Sequence, residues 1–269
     1  MTGFDPAPAK GLLDLVAEFD LWQQVGELAI AGYTVLPEVL SHEETAGLRS
    51  LACDLLTGPV ALQDPCGHRV WNLLKHNRTF LRLLEDDRVN VLLTVLLGEG
   101  AVLSSMHINA ITPGAAAQEC HVDTPFVPGP LPATALLANT IWCLNTWREG
   151  QGATEACPGS HLVRSPAPDA DASMVPIECP AGSVIITNGA VWHRSGAYDQ
   201  QGVLPRIGVL ALYCRSFVVT QERYDTVAAQ VDDARLAARL GRRSPYPFGA
   251  EGPDQRFADA QLLARSPFA

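Results

Sequence analysis

The segment Gln118-Glu119-Cys120-His121-Val122-Asp123 sets an imidazole and a carboxylate two residues apart. On a β-strand alternate side chains share a face, so His121 and Asp123 point one way and Val122 the other. That is half of a metal site. A second imidazole from downstream would make two histidines and one carboxylate, the set that leaves open positions on a non-haem Fe(II) ion. Two histidines compete for the third place. His161 lies in the turn Pro158-Gly159-Ser160-His161, which suits fixing a loop. His193 follows a strand and turn, and Arg206 comes thirteen residues later. A forked, permanently charged guanidinium is what a dicarboxylate cosubstrate needs for a bidentate grip, and a buried Arg without an anion would be costly. His193 is therefore the expected third ligand and Arg206 the expected anion clamp. Other chemistries have little support. Ser160 and His161 are adjacent, which rarely gives attack geometry, and the seven cysteines contain no CxxC.

Stepping outward, the elements that must position these residues can be read from periodicity. Leu21, Val25, Leu28 and Ala29 recur at helical spacing up to Gly32. Tyr33 to Leu36 reads as a short strand. Ser41-His42-Glu43-Glu44 is a capping box opening a helix to about Leu56. The stretch from Gly58 to His68, with Pro59, Pro65 and Gly67, reads as loop. Phe80 to Leu97 holds two helical patterns that break near Asp86-Asp87 and end at Gly98. In Ser104 to Ile111 Met106, Ile108 and Ala110 alternate with Ser105, His107 and Asn109, a two-residue period. In a barrel with a ligand cavity the polar face can be the inner one. Further strands are expected at His121–Asp123, 135–146, 183–187 and 206–219, and a short helix at 231–240. Residues 245–249 read as irregular and the tail to Ala269 as weakly amphipathic. Helices first and short strands after suggest a β-sandwich or barrel braced by N-terminal helices.

Composition bounds the remaining classes. The 269 residues are 47% hydrophobic and 18% charged, with a formal charge of -10, ample for a core and poor for long disordered stretches. Lysine occurs only at Lys10 and Lys75, so a nucleic-acid-binding face is not expected. No apolar run approaches the roughly 20 residues of a membrane span, and the N-terminus has no secretory pattern. An odd, scattered set of cysteines suits reduced thiols, so a cytoplasmic protein is expected, as a monomer or homodimer. No linker divides the chain. One domain over 1–269 is expected, with a helical part at about 1–100, a β core at about 101–220, and a C-terminal helix and tail over 221–269.

Taken in order, several pieces resemble the phytanoyl-CoA dioxygenase (PhyH-like) family of Fe(II)/2-oxoglutarate oxygenases, particularly members that modify secondary metabolites. They are Gly32-Tyr33-Thr34-Val35-Leu36-Pro37, Gln118 ahead of His121 and Asp123, Gly152-Ala153-Thr154, and Pro158-Gly159-Ser160-His161. His193 with Ser195-Gly196-Ala197, and Pro205-Arg206-Ile207-Gly208, complete the set. The similarity covers roughly residues 30 to 250. It implies a mainly β chain with α additions, built on a double-stranded β-helix (a cupin-like jelly roll), with Fe(II) on His121, Asp123 and His193. It implies 2-oxoglutarate on that iron with its far carboxylate on Arg206, and O2 as oxidant. Gln118 and Thr154 match positions that help hold the cosubstrate, Trp142 an aromatic packed near it, and Ser195 a small hydroxyl beside Arg206. Tyr198 and Gln151 depart from the family, which often has Asn at both, and this bears on pocket detail.

The implied reaction is oxidation, most simply hydroxylation, of an unactivated C–H bond with release of succinate and CO2. Desaturation, epoxidation and cyclisation need the same residues. Asp123 argues against a halogenase, which needs that carboxylate missing. Asn72, His107, Asn109 and Phe126 are the expected substrate contacts. The stretch from Pro65 to His76, with Phe126, Trp147 and the region of Tyr224, suggests a small or medium apolar metabolite as substrate. With two lysines an acyl-CoA comes second. A cupin-like metal protein without oxygenase activity is the alternative class.

Overall fold

The computed structural model describes residues 6–98, 100–163, 173–199 and 204–242. The segment 245–249 and the tail, for which irregular and amphipathic structure were expected, lie outside the described residues.

Two helices, α1 (Pro6–Glu18) and α2 (Trp22–Ile30), precede strand β1 (Tyr33–Leu36). Helix α3 (His42–Thr57) opens on the expected capping box: the Ser41 hydroxyl accepts from the Glu44 N–H and the Glu44 carboxylate from the Ser41 N–H. The expected loop at 58–68 is instead mostly a hairpin of β2 (Leu62–Asp64) and β3 (Gly67–Val70). Its strands are too short for a period to register. They are held by pairing with a distant strand and by the Arg69–Asp64 ion pair. A short helix α4 (Leu73–His76) and a 3₁₀ turn lead to α5 (Asp87–Leu97), whose Asp86 side chain caps the Arg88 and Val89 amides.

The strands that follow are β4 (Val102–Ile111), β5 (Leu137–Cys143), β6 (Thr154–Ala156), β7 (Val175–Pro176), β8 (Val184–Asn188), β9 (His193–Ser195) and β10 (Arg206–Cys214). A seven-stranded antiparallel sheet runs β1-β8-β5-β10-β4-β3-β2, and a three-stranded sheet runs β7-β6-β9. One cluster packs Ile141, Ile185 and Leu210 of the large sheet with Ala156, Ile177 and Trp147. The two sheets therefore face each other, as in a jelly roll. The opposite face of the large sheet, with Met106, Ile108, Trp142 and Val209, packs under the helices in the main core with Phe80 and Leu92.

The alternation in β4 has its physical explanation here. All ten of its residues are buried. Met106, Ile108 and Ala110 face the helices and Ser105, His107 and Asn109 face the space between the sheets, while a register shift before Ser105 puts Leu103 on the helix side. β10 ends at Cys214 rather than running to Val219, where Val219 is exposed. The helix expected at 231–240 begins later, at Ala234, where Asp233 caps it, and runs from Ala234–Ala237 into a π-helical segment Ala238–Arg242 that kinks at Gly241, φ +90°. A separate short helix, Asp225–Ala228, precedes it. Among the described residues no helix is long and apolar enough to cross a membrane, and the cysteines form no disulfide.

Candidate metal centre

His121 does not sit in a continuous strand. Its segment makes one isolated bridge, with paired backbone hydrogen bonds between His121 and His193 at 2.9 and 3.0 Å. The partner strand β9 is only three residues long, so little ladder is available. Neighbouring bonds extend the register: the Gln118 N–H donates to the Ser195 carbonyl, and the Asp123 N–H to that of Gly189. These backbone ties, rather than strand periodicity, bring the three side chains together. One nitrogen or oxygen from each of His121, Asp123 and His193 falls within 4.8 Å of the others. His193 Nε2 lies 3.8 Å from Asp123 Oδ1, inside the limit of about 4.2 Å that two metal–ligand bonds of about 2.1 Å can bridge.

The tautomers follow from the hydrogen bonds. His121 Nδ1 lies 2.9 Å from the Glu119 carbonyl and His193 Nδ1 2.9 Å from that of Val191. A carbonyl only accepts, so each Nδ1 carries the proton and each Nε2 presents a lone pair, the usual outer support of a metal-binding imidazole. Burial, followed by the nearby His193, pushes the His121 pKa below its ordinary value, which favours the neutral ring that a metal needs. Asp123 Oδ2 is buried with no hydrogen-bond partner among the described residues. Two imidazoles with Nδ1 committed to carbonyls and Nε2 turned to the site, and a carboxylate with an unused oxygen, fit a divalent first-row cation.

Arg206, 2% exposed, lines the same cavity. Its Nε donates to the Gly152 carbonyl at 2.7 Å, its Nη2 donates to Ser195 Oγ at 3.3 Å, and its guanidinium lies 3.9 Å over the Trp147 ring. Nη1 has no partner among the described residues. Burial draws its pKa down to about 10, so the group stays cationic at neutral pH. A buried cation with an unfilled donor fits an anion such as the far carboxylate of 2-oxoglutarate. Two glycines make the arrangement possible. Gly152 has φ +75°, and a Cβ there would come within 2.7 Å of Ile111. A Cβ on Gly208 would come within 2.7 Å of the Trp147 ring, so the bare position leaves room for that indole over Arg206.

Gln118, Thr154 and Ser195 also line this cavity of about 140 Å³. Thr154 pairs with Ser195 across β6 and β9, and Gln118 Oε1 accepts from the Ser195 N–H at 3.4 Å. His107 and Asn109 line it from β4. Other expected contacts lie elsewhere. Trp142 points to the helix side of the large sheet, where its Nε1 donates to Thr140 Oγ1. It occupies the wrong parity on β5, and the aromatic beside Arg206 is Trp147. Trp147 is thereby enclosed rather than at a substrate mouth. Asn72 starts α4 and gives its N–H to Glu222, Phe126 is exposed, and neither lines the cavity. Tyr224 lines a separate cleft. His161 packs against Gly32 and is not part of the cluster, and Tyr198 gives its hydroxyl to the Leu204 carbonyl.

Of the stretch from Pro65 to His76 expected at the substrate space, Arg69 and Trp71 line the cavity from the β2–β3 hairpin side, although the sequence singled out neither. Their signal was Arg69-Val70-Trp71 after Gly67, an apolar residue between two that face the cavity. It was hidden by the surrounding prolines and glycines.

A jelly roll with two imidazoles, one carboxylate and a buried guanidinium between its sheets defines a class of metal-dependent oxygenase-like proteins. The chain belongs to the phytanoyl-CoA dioxygenase (PhyH) family, a family of oxidoreductases, which it matches over residues 30–202. It is 29% identical over 185 residues to "Dioxygenase af480" of Aspergillus fumigatus, covering 62% of this chain and 58% of that protein. The chain thus spans little more than half of that relative. Among solved structures it is similar to the α-ketoglutarate-dependent epimerase SnoN from nogalamycin biosynthesis, with TM-score 0.64, 20% identity, and coverage of 74% of this chain and 84% of that one. It is also similar to HygX of Streptomyces hygroscopicus, solved with nickel, 2-oxoglutarate and hygromycin B, with TM-score 0.62, 18% identity, and coverage of 80% and 93%. At these identities the likeness to solved structures is one of fold.

Proposed function

We propose that this protein is an Fe(II)- and 2-oxoglutarate-dependent dioxygenase that oxidises an unactivated C–H bond of a small molecule, with hydroxylation as the simplest outcome. The observation that carries the reading is the buried Arg206, with an unfilled Nη1, in the same cavity as His121, Asp123 and His193. When bound, Fe(II) with 2-oxoglutarate supplies the activation of O2 and the oxidising power for C–H cleavage, with succinate and CO2 released. The chain's own residues do the positioning. His121, Asp123 and His193 would hold the metal through Nε2, carboxylate and Nε2. Arg206 would hold the far carboxylate of the cosubstrate, kept in place by the Gly152 carbonyl, Ser195 and the Trp147 face. Thr154 and Gln118 would close the polar wall around it. The facing sheets limit water at the site, which strengthens each charged contact. Hydroxylation, desaturation, epoxidation and ring closure share this apparatus and differ in how the rest of the cavity holds the substrate. Membership of a secondary-metabolite-modifying branch is supported by the named relatives.

The test is succinate formation from 2-oxoglutarate with Fe(II), ascorbate and air. The wild-type protein should consume 2-oxoglutarate slowly without substrate. Arg206→Ala should lose about 100-fold in cosubstrate use, as expected for removing one member of a buried charge pair. Tight metal binding with no consumption of 2-oxoglutarate would place the protein among cupin-like metal proteins instead.

A further inference from the structure

The cavity continues along the large sheet, away from Arg206. On β10 the positions facing it come in successive rungs: Gly208 beside Asn109, Leu210 between His107 and Ile141, and Leu212 between Ser105 and Asn139. Arg206 stands at one end, opposite Ile111. The far rungs carry buried polar groups with nothing to bind. His107, 6% exposed, has no hydrogen-bond partner for Nδ1 or Nε2 among the described residues, and the same holds for Oδ1 of Asn109 (3%) and of Asn139 (4%). The His107 ring is stacked on Trp71, with centroids 4.2 Å apart, so it is held in place without a hydrogen bond. Such unpaired buried groups are costly, and a fold keeps them where a ligand satisfies them.

We propose that this end of the cavity is a binding subsite for a neutral molecule bearing several hydroxyl or carbonyl oxygens, received by His107, Asn109 and Asn139. This names the substrate class of the proposed oxygenase and rests on that reading. Three features select the class. First, a neutral imidazole offers one N–H and one lone pair, and a carboxamide offers both kinds of group. A hydroxyl, which gives and accepts, matches both. Burial, with Arg69 nearby, pushes the His107 pKa down to about 3, so the ring is neutral at physiological pH. Second, among the described residues no spare cation faces this end, Arg194 being paired with Glu155. Arg69 is paired with Asp64 and Arg206 is at the other end, so a carboxylate or phosphate would meet no uncommitted charge. Third, a hydrocarbon would seal four polar atoms away from water unpaired. The apolar metabolite expected from the sequence rested on the stretch from Pro65 to His76 with Phe126, Trp147 and the region of Tyr224; of these, only Arg69 and Trp71 line the cavity, and Trp71 is stacked on the polar His107 ring.

The experiment uses the full chain with Ni(II) and 2-oxoglutarate. Ligand-observed saturation-transfer NMR is run with three sets of six-membered-ring probes: cyclitols and methyl glycosides, ring carboxylates, and ring hydrocarbons. The expected result is binding within the neutral hydroxylated set, weakened at least 10-fold in His107→Leu and in Asn139→Leu. Because His107 has no hydrogen bond to lose, the ligand-free His107→Leu protein should have a Tm equal to or above that of the wild type. Preference for carboxylates or hydrocarbons, binding of no set, hydroxylated probes indifferent to His107→Leu, or a lowered Tm for that variant would each overturn the proposal. Titration of wild type and Arg206→Ala with 2-oxoglutarate is read separately. If the wild type does not bind 2-oxoglutarate, the oxygenase reading fails whatever the ring probes do. If it binds and the hydroxylated set does not, the substrate class alone fails.

Discussion

His107 shows how a single side chain links function to stability. Its imidazole would titrate near 6.5 in the unfolded chain, whereas burial, with Arg69 adding to it and Asp64 opposing it, holds it near 3 in the folded one. The unfolded state therefore binds more protons than the native state between those values, so stability must rise with pH across that window and fall as the pH drops from about 6.5 toward 3. Denaturant titrations at several pH values should show this slope, worth several kcal/mol over the window, and His107→Leu should flatten it. A slope unchanged in the variant would assign the acid sensitivity to other groups. Arg206 is the opposite case: its shift leaves it charged at neutral pH, so its burial is a standing cost that an anion relieves.

At the scale of elements, the cavity depends on how segments far apart in sequence are tied. Glu222, 7% exposed, accepts from the Asn72 N–H at 2.9 Å, from the Met106 N–H at 3.1 Å, and from the Tyr224 hydroxyl. One carboxylate thereby joins the backbone after Trp71 to β4 beside His107. Glu222→Ala leaves three donors unpaired and should lower stability by about 3 kcal/mol in chemical denaturation. It should also loosen the stacking of Trp71 on His107, seen as a change in Trp fluorescence. A loss below about 1 kcal/mol would mean that water replaces the carboxylate. The hairpin β2–β3 belongs to the same scale. Its place in the sheet comes from β4, so the prolines and glycines that read as loop in the sequence are compatible with its strands.

For the whole molecule, the residues proposed to hold the metal and cosubstrate come from different parts of the chain, and only the folded state brings them together. Ligands that bind this state and not the unfolded one must stabilise it. A redox-inert divalent cation with 2-oxoglutarate, each at about 100 times its Kd, should add roughly 2.7 kcal/mol or more. For a chain of this size that raises Tm by about 5–10 °C. His121→Ala should abolish the metal-dependent part in differential scanning calorimetry. An equal shift in that variant would show that the cation binds elsewhere. The two-sheet architecture also explains the polarity of the cavity. It lies between the facing sheets, on the side away from the helix-covered core, so polar side chains are kept there at no expense to the main packing.

The chain by itself determined the residue types at the candidate metal centre, the capping box of α3, the break before α5 and the inward polar face of β4. These rest on local chemistry and periodicity, which neighbouring residues specify among themselves. Tertiary structure alone decided that His121 is held by a backbone bridge rather than a strand. It also decided that Trp147 and not Trp142 lies on Arg206, and that of the stretch from Pro65 to His76 it is Arg69 and Trp71 that reach the cavity. Each of these depends on strand parity and on pairing between segments distant in sequence, and a one-residue change of register turns a side chain from one face of a sheet to the other.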